Sequence, residues 1–219
     1  EILQPVEGLL RYQKNKIGTG TIAEVHYSDL NPRICFKIIG TVDGKSTILV
    51  DTQKYLDLPK EAQFLDTLQG IHTDVRVPRP YYTVSRKRLS EDTDEIEDML
   101  SLMAMERLPA VSLRQVFEEG ALLPNNFDAE VFFRQIRDFF NEMHSRSIHH
   151  MDPHEGNIMV DTVTGKPYVV DFGSSSYGSD EDVYRTEDAR GKVTIHRTDE
   201  DNINTVEKKM RAYLTENKK

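Results

Sequence analysis

The chain has 219 residues, 37% of them hydrophobic, and a formal net charge of −9 at pH 7. This acidic balance argues against broad nucleic-acid binding, because affinity for phosphate backbones comes from clusters of Lys and Arg. No apolar run approaches the ~18 residues of a transmembrane helix, and the single Cys35 excludes an internal disulfide and fits a reducing, cytoplasmic compartment.

Residues 14–39 have the pattern of three strands, the first two joined by a glycine-rich turn. Ile17, Gly18 and Gly20 lie at this turn, and Val25 follows on the second strand. Glycines let backbone N–H groups approach phosphate oxygens without a Cβ in the way. Taken alone, a Gly-x-Gly pattern is more often an ordinary hairpin turn.

The third strand, Ile34 to Ile39, is apolar except for Lys37. A lysine flanked in this way needs an anionic partner, because an unpaired buried charge is costly. The next predicted element is a helix over about residues 57–69, and Glu61 lies near its start, ahead of its apolar stripe. Taken alone, Glu61 reads as a solvated helix residue, and Glu24 is the main competing candidate for the partner of Lys37.

Further along the chain, residues 77–84 read as a strand, and a second strand begins at about residue 100. The polar stretch 85–98 reads as a solvated turn between the two strands or, alternatively, as a steering surface for a basic partner. Residues 128–144 carry apolar side chains at helical spacing and predict a helix whose stripe belongs to the core. A last amphipathic helix is predicted near the end of the chain. Its apolar positions are Ile203, Val206, Met210 and Tyr213.

The segment from His150 to Gly173 carries the strongest chemical signal. It contains Asp152, Asn157 five positions later, and Asp171 at the end of an apolar strand. Phosphoryl transfer from ATP requires such groups. One carboxylate receives the proton of the acceptor hydroxyl, while an amide oxygen and a second carboxylate hold Mg²⁺ on the phosphates.

The pattern His-x-Asp-x-x-x-x-Asn followed by Asp-Phe-Gly resembles the protein-kinase superfamily, and so do the glycine-rich turn and the strand lysine. The resemblance implies an α+β, bilobal fold. A β-rich N-lobe would occupy residues 1–108, and a reduced helical C-lobe would occupy residues 109–219. It also implies an ATP-dependent kinase that uses Mg²⁺ or Mn²⁺.

The same resemblance assigns roles to individual residues. Asp152 would be the catalytic base, Lys37 and Glu61 the catalytic ion pair, and Asn157 and Asp171 the metal ligands. Positions from the glycine-rich turn to the hinge would bind ATP. They are Ile17, Gly18, Gly20, Val25, Lys37, Met105, Glu106 and Leu108.

Two residues depart from the regulated protein kinases. Met151 stands where those enzymes carry an arginine that binds an activation-loop phosphate, so we expect constitutive activity or control by a partner. With His154, the run Asp-Pro-His-x-Gly-Asn is closer to ABC1-type atypical kinases and aminoglycoside phosphotransferases. His154 either contacts the transferred phosphoryl group or is structural, as His149 and His150 could be. With no cysteine nearby, we do not expect zinc here.

The part of the chain after Gly173 is short for a protein kinase, and it resembles that of minimal kinases such as small bacterial effector kinases. ABC1-type kinases have an N-terminal extension that is absent here, which argues against that family. Little chain is left to enclose a small substrate, which favours a protein acceptor and serine/threonine specificity. The acceptor would be a host protein if the chain is an effector secreted into a host cytosol. Alternatives are a kinase for a sugar, aminoglycoside or lipid headgroup, and a pseudokinase that acts as a binding module.

Overall fold

A computed structural model gives the structure of the chain and describes residues 16–19, 23–28, 30–42, 45–46, 57–89, 96–187 and 193–217. The chain divides into two compact units. The first contains Glu1–Asp66 and Pro78–Leu108, and the second contains Thr67–Val77 and Pro109–Lys219.

The first unit is built on a six-stranded sheet whose neighbouring strands pair antiparallel. Its strands are β1 (Lys16–Thr19), β2 (Glu24–Tyr27), β3 (Ile34–Val42), β4 (Lys45–Ser46), β5 (Pro80–Leu89) and β6 (Ile96–Glu106). They pair in the order β1-β2-β3-β6-β5, with β4 on β3. Helix α1 (Leu58–Leu68) buries Leu58, Phe64 and Leu65 at helical spacing. The three strands predicted over residues 14–39 and the helix predicted over 57–69 are confirmed.

The polar stretch 85–98 was predicted as a turn, and this is wrong at both of its ends. Strand β5 continues to Leu89 and strand β6 begins at Ile96. The antiparallel register places Arg88 opposite Asp98. A polar composition therefore does not by itself end a strand.

The second unit combines four helices with short strands in its described residues. The helices are α2 (Leu113–Glu119), α3 (Ala129–Ser145), α4 (Asp180–Tyr184) and α5 (Asp199–Glu216), and Phe172–Ser174 forms a 3₁₀ turn. The strands are β7 (Ala110–Ser112), β8 (Ile148–His149), β9 (Ile158–Asp161), β10 (Pro167–Val169), β11 (Ser176–Tyr177), β12 (Arg185–Glu187) and β13 (Val193–Ile195). They form three small sheets, ordered β10-β9-β7, β11-β8 and β12-β13.

Helix α3 supplies much of the core of the second unit. Asp128 caps its N-terminus, and Oδ1 of Asp128 accepts hydrogen bonds from the N–H groups of Glu130 and Val131 at 2.9 and 3.1 Å. The predicted apolar stripe is fully buried and consists of Phe132, Ile136, Phe139 and Met143. Burial of each such side chain contributes about 1.5–3 kcal/mol, so this helix is a main source of the unit's stability.

Helix α5 begins with a capping box. The Thr198 hydroxyl accepts from the N–H of Asp201 at 3.1 Å, and the Asp201 carboxylate accepts from the N–H of Thr198 at 3.1 Å. Its predicted apolar positions Ile203, Val206 and Met210 are buried. The polar segment before it contains α4 and three short strands, β11, β12 and β13. Elements of two to five residues are too short to show a hydrophobic period.

The predicted α+β class is confirmed, with a β-rich first unit and a mainly helical second unit of the kinase-like type. Among the helices of the described ranges, none combines the length and the apolar composition needed to cross a membrane.

Candidate active site

Lys37 and Glu61 form a buried ion pair in the first unit. Lys37 lies in the middle of β3, with Cα partners on both β2 and β6, and Glu61 lies in the first turn of α1. The Lys37 ammonium nitrogen Nζ donates to both carboxylate oxygens of Glu61, at 2.9 and 2.8 Å. The carboxylate of Glu24, the competing candidate, accepts a hydrogen bond from the ring of His26 at 3.0 Å. The expected pair of Lys37 with Glu61 is therefore present in the structure.

The described part of the glycine-rich turn lies next to this lysine. Ile17 and Gly18 belong to β1, and Gly18 has Val25 of β2 as its Cα partner. Val25 is in turn the Cα partner of Lys37. Three of the expected nucleotide-binding positions are therefore consecutive Cα partners across the sheet, namely Gly18, Val25 and Lys37. Gly20 lies outside the described residues.

The expected hinge positions Met105, Glu106 and Leu108 lie at the end of β6 and just after it. The N–H of Glu106 donates to the carbonyl of Arg79 at 2.8 Å. The carbonyl of Glu106 accepts from the buried thiol of Cys35 at 3.6 Å. Burial raises the pKa of Cys35 to about 12, so this thiol remains protonated at neutral pH and is not a reactive nucleophile.

In the second unit, the 150–157 loop connects β8 to β9 and contains Asp152 and Asn157. The side-chain Nδ2 of Asn157 donates to the backbone carbonyl of Asp152 at 2.9 Å. A carbonyl can only accept, so this bond fixes the amide orientation and leaves Oδ1 of Asn157 as the atom that can hold a cation. Asn157 itself is buried, whereas the Asp152 side chain is 54% exposed.

A backbone contact brings Asp171 to the same loop. The N–H of Val170 donates to the carbonyl of Asn157 at 3.0 Å. Asp171 follows in the left-handed region, with φ 65° and ψ 69°, where Asp and Asn are tolerated better than most residues. Its side chain is exposed, and the next residue, Phe172, is fully buried with its ring 4.6 Å from that of His150. The buried phenylalanine therefore anchors the exposed carboxylate.

Asp199, which was not predicted as a site residue, supports the 150–157 loop from below. Its fully buried carboxylate accepts from the backbone N–H of His150 at 2.8 Å and of Met151 at 2.9 Å, and it contacts the His144 ring nitrogen at 3.1 Å. Met151 has φ 72°, an unfavourable conformation for its side chain. The two hydrogen bonds from the loop therefore hold a strained backbone immediately before Asp152.

Burial alone would raise the pKa of Asp199, but hydrogen bonds from His144 and His150 hold it below its ordinary value. The carboxylate is thus charged in the folded protein. No local signal marked this residue, because Asp199, Glu200 and Asp201 together resemble an ordinary acidic helix start.

His144, His149 and Asp199 form the one cluster among the described residues whose ligand atoms lie close enough to suggest a metal site, within 4.8 Å of one another. Asp199 already accepts the loop bonds given above, and His149 Nε2 donates to the carbonyl of Gly178 at 3.0 Å, whereas His149 Nδ1 is buried without a hydrogen-bond partner among the described residues. A metal ion would have to displace the proton between His144 and Asp199. The geometry favours a hydrogen-bonded support for the loop.

Asp199→Asn is expected to lower the free energy of unfolding by about 2–4 kcal/mol, because the amide NH₂ group faces backbone N–H donors that then lack an acceptor. The greater free energy of unfolding of wild type should be fully present above the ordinary aspartate pKa of 3.8. It should shrink as the pH falls through the lower pKa that Asp199 has in the folded protein. Urea unfolding of both proteins from about pH 7 to pH 3 measures this difference. A difference that grows towards acid pH would contradict this assignment of charge.

Comparison with known proteins gives one finding at family level. The family model of the ABC1 atypical kinase-like domain matches residues 52–206, more than half of the chain. The matched stretch contains Glu61, the 150–157 loop, Asp171 and Asp199, while Lys37 lies before it. No match to a curated protein was found.

Proposed function

The chain belongs to the ABC1 atypical kinase-like family, and on that premise we propose that it is an active enzyme that transfers the γ-phosphate of ATP to an acceptor hydroxyl. Membership confirms the resemblance to the protein-kinase superfamily and to ABC1-type kinases, and it corrects the expectation that the chain falls outside that family. At family level it is a kinase-like phosphotransferase or a pseudokinase. The choice between these two rests on the residues themselves.

The observation that carries the proposal is the arrangement around Asn157. The side-chain amide of Asn157 is oriented by its hydrogen bond to the Asp152 carbonyl. The backbone carbonyl of Asn157 accepts a hydrogen bond from the N–H of Val170, the residue before Asp171. An amide oxygen and a carboxylate are hard donors of the kind that Mg²⁺ prefers. Asn157 and Asp171 would hold the ion, which neutralises charge on the phosphates when bound.

Lys37 would bind the α- and β-phosphates of ATP, and Glu61 would keep the ammonium group in place. A buried ammonium group needs a fixed anionic partner, and the bidentate contact with Glu61 provides one. A nucleotide phosphate brings further negative charge to the same group. Retention of this pair favours an ATP-binding chain over a scaffold that has lost nucleotide chemistry.

Asp152 would orient the acceptor hydroxyl and receive its proton. The exposure of its carboxylate allows an acceptor on a large molecule to reach it, and this supports a serine or threonine side chain of a protein as the acceptor. A sugar or lipid headgroup remains the alternative outcome of the test below.

Wild-type protein incubated with labelled ATP and Mg²⁺ should form ADP and transfer label to proteins of a cell lysate. Mass spectrometry should then identify phosphosites that are lost with Asp171→Asn, with a metabolite panel assayed in parallel. Label that appears only in small molecules would overturn the protein acceptor, while ADP formation that survives Asp171→Asn would overturn the proposed metal site.

Nucleotide binding has an independent readout in the thermal unfolding of the chain. A ligand present at 100 times its Kd stabilises the folded state by about 2.7 kcal/mol, so MgATP should raise the unfolding temperature by several degrees. ATP with excess EDTA serves as the control. Equal curves with and without MgATP would favour a scaffold that does not bind nucleotide.

A further inference from the structure

The ring of His154 is held by a hydrogen bond inside its own loop. The backbone N–H of Gly156 donates to Nδ1 of His154 at 2.8 Å. Nδ1 therefore carries a lone pair rather than a proton, and in the neutral ring the proton resides on Nε2. The backbone thus selects one tautomer of His154, with an N–H donor on the far side of the ring.

Gly156 also provides the space that this ring needs. A Cβ atom added to Gly156 would lie 2.6 Å from Cε1 and 3.0 Å from Nδ1 of His154. Real Cβ contacts are essentially never as short as the first of these, so an alanine at this position displaces the ring. The position of the ring therefore explains why a glycine follows two places after the histidine.

The Nε2 donor of His154 faces the Asp152 carboxylate. Nε2 lies 3.7 Å from Oδ2 of Asp152, and the two side chains are 38% and 54% exposed. The backbone also links the two residues, since the N–H of His154 donates to the Asp152 carbonyl at 3.0 Å. We propose that His154 is a positioning residue that donates a hydrogen bond from its Nε2–H group to one carboxylate oxygen of Asp152 during phosphoryl transfer, a role that rests on the function proposed above.

This contact decides which oxygen of Asp152 meets the acceptor. The separation exceeds the ~2.7–3.2 Å of an N–H···O hydrogen bond, and catalytic contacts are often long before substrate binds. Rotation of the exposed Asp152 carboxylate shortens the distance between its Oδ2 and Nε2 of His154. With Oδ2 held by His154, Oδ1 takes the acceptor proton as the new O–P bond forms and the bond from the γ-phosphorus to ADP breaks. His154 keeps its own proton throughout.

Two substitutions separate the donor from the loop bond. In His154→Asn the side-chain oxygen can still accept from the Gly156 N–H, but the side chain is too short to reach Asp152. In His154→Gln the amide NH₂ lies about as far from the backbone as Nε2. The assay is ADP formation from MgATP, with water as the acceptor. In this assay His154→Asn should lower kcat by about 10–100-fold and leave KM for ATP unchanged. His154→Gln should retain most of the wild-type kcat.

Gly156→Ala tests the same contact without changing the histidine. The added methyl group displaces the ring, so kcat should fall about as far as in His154→Asn. In the His154→Ala background no ring is present, and adding Gly156→Ala should then change kcat less than about 3-fold. This non-additivity is the signature of a direct coupling between the two positions.

The outcomes distinguish this inference from the proposed function. If wild type forms ADP and Asp171→Asn does not, but His154→Asn retains the wild-type kcat, the positioning role is overturned and the function stands. The positioning role is also overturned if His154→Gln loses as much activity as His154→Asn. It is overturned too if the His154 variants change KM for ATP and leave kcat unchanged. If wild type forms no ADP either with water as the acceptor or with a cell lysate present, both are overturned. Thermal unfolding curves that match wild type will show that the variants are folded.

Discussion

Asp171→Asn is expected to lower the rate of phosphoryl transfer by about 10²–10³-fold, the cost of removing one preorganised charge-stabilising group from an active site. The substitution keeps the size of the side chain and removes one negative charge, which weakens the hold on Mg²⁺. Because the side chain is exposed and asparagine tolerates φ 65°, the free energy of unfolding should change by less than ~1 kcal/mol.

Asparagine is a better probe than alanine at this position. Alanine in the left-handed region would add backbone strain of about 1–2 kcal/mol and confuse loss of charge with loss of structure. Asp138→Asn is the matched control, because it makes the same chemical change at an exposed position of α3. ADP formation at saturating MgATP measures the effect. An Asp171→Asn variant with more than about a tenth of wild-type activity would show that the carboxylate does not hold an essential ion.

Candidate site residues were recognisable in the sequence where they lie in short local patterns. Asp152, Asn157 and Asp171 stand at fixed spacings in one segment, and the stripe of α3 repeats with the helical period. A cost argument predicted that Lys37 needs an anionic partner, since a charge among apolar strand residues must be paired, and the resemblance to protein kinases pointed to Glu61. These inferences need no knowledge of distant parts of the chain.

Asp199 could not be found in this way, because its role depends on a contact with residues almost fifty positions earlier. In the sequence it is one of three acids at a helix start, where helix dipole and capping explain all three equally well. Similarly, the role of Gly156 appears only when the ring of His154 is placed over it. A local pattern shows what a residue can do, whereas long-range contacts determine which of several equivalent residues does it.

The site residues fall into two physical classes. Asp152 and Asp171 are exposed and owe their positions to backbone contacts and to the buried Phe172 and Asp199. Lys37 and Glu61 are buried and depend on each other. Substitution of the first pair should therefore reduce activity with little loss of stability, and substitution of the second pair should reduce both.

The Lys37–Glu61 pair allows stability and activity to be separated. Lys37→Met leaves the Glu61 carboxylate buried without its ammonium partner, and breaking a buried ion pair in this way costs about 3–5 kcal/mol of unfolding free energy. Replacing both residues by apolar side chains, as Lys37→Met with Glu61→Leu, removes both buried charges and should restore most of that stability. The double variant should still fail to form ADP, because no ammonium group remains to bind the phosphates.

Urea unfolding and MgATP turnover of the two single variants and the double variant form a thermodynamic cycle. We expect a favourable coupling of about 2–4 kcal/mol between the two positions in stability. In activity we expect no recovery in the double variant, since either single change already abolishes turnover. The control is Lys60→Met, an exposed lysine of helix α1 whose ammonium lies 5.6 Å from the Phe64 ring centroid. It should leave turnover unchanged and lower the free energy of unfolding by at most about 1 kcal/mol. Activity in the double variant at more than about a hundredth of wild type would mean that Lys37 does not bind the phosphates, because loss of one such electrostatic contact costs about 10²–10³-fold.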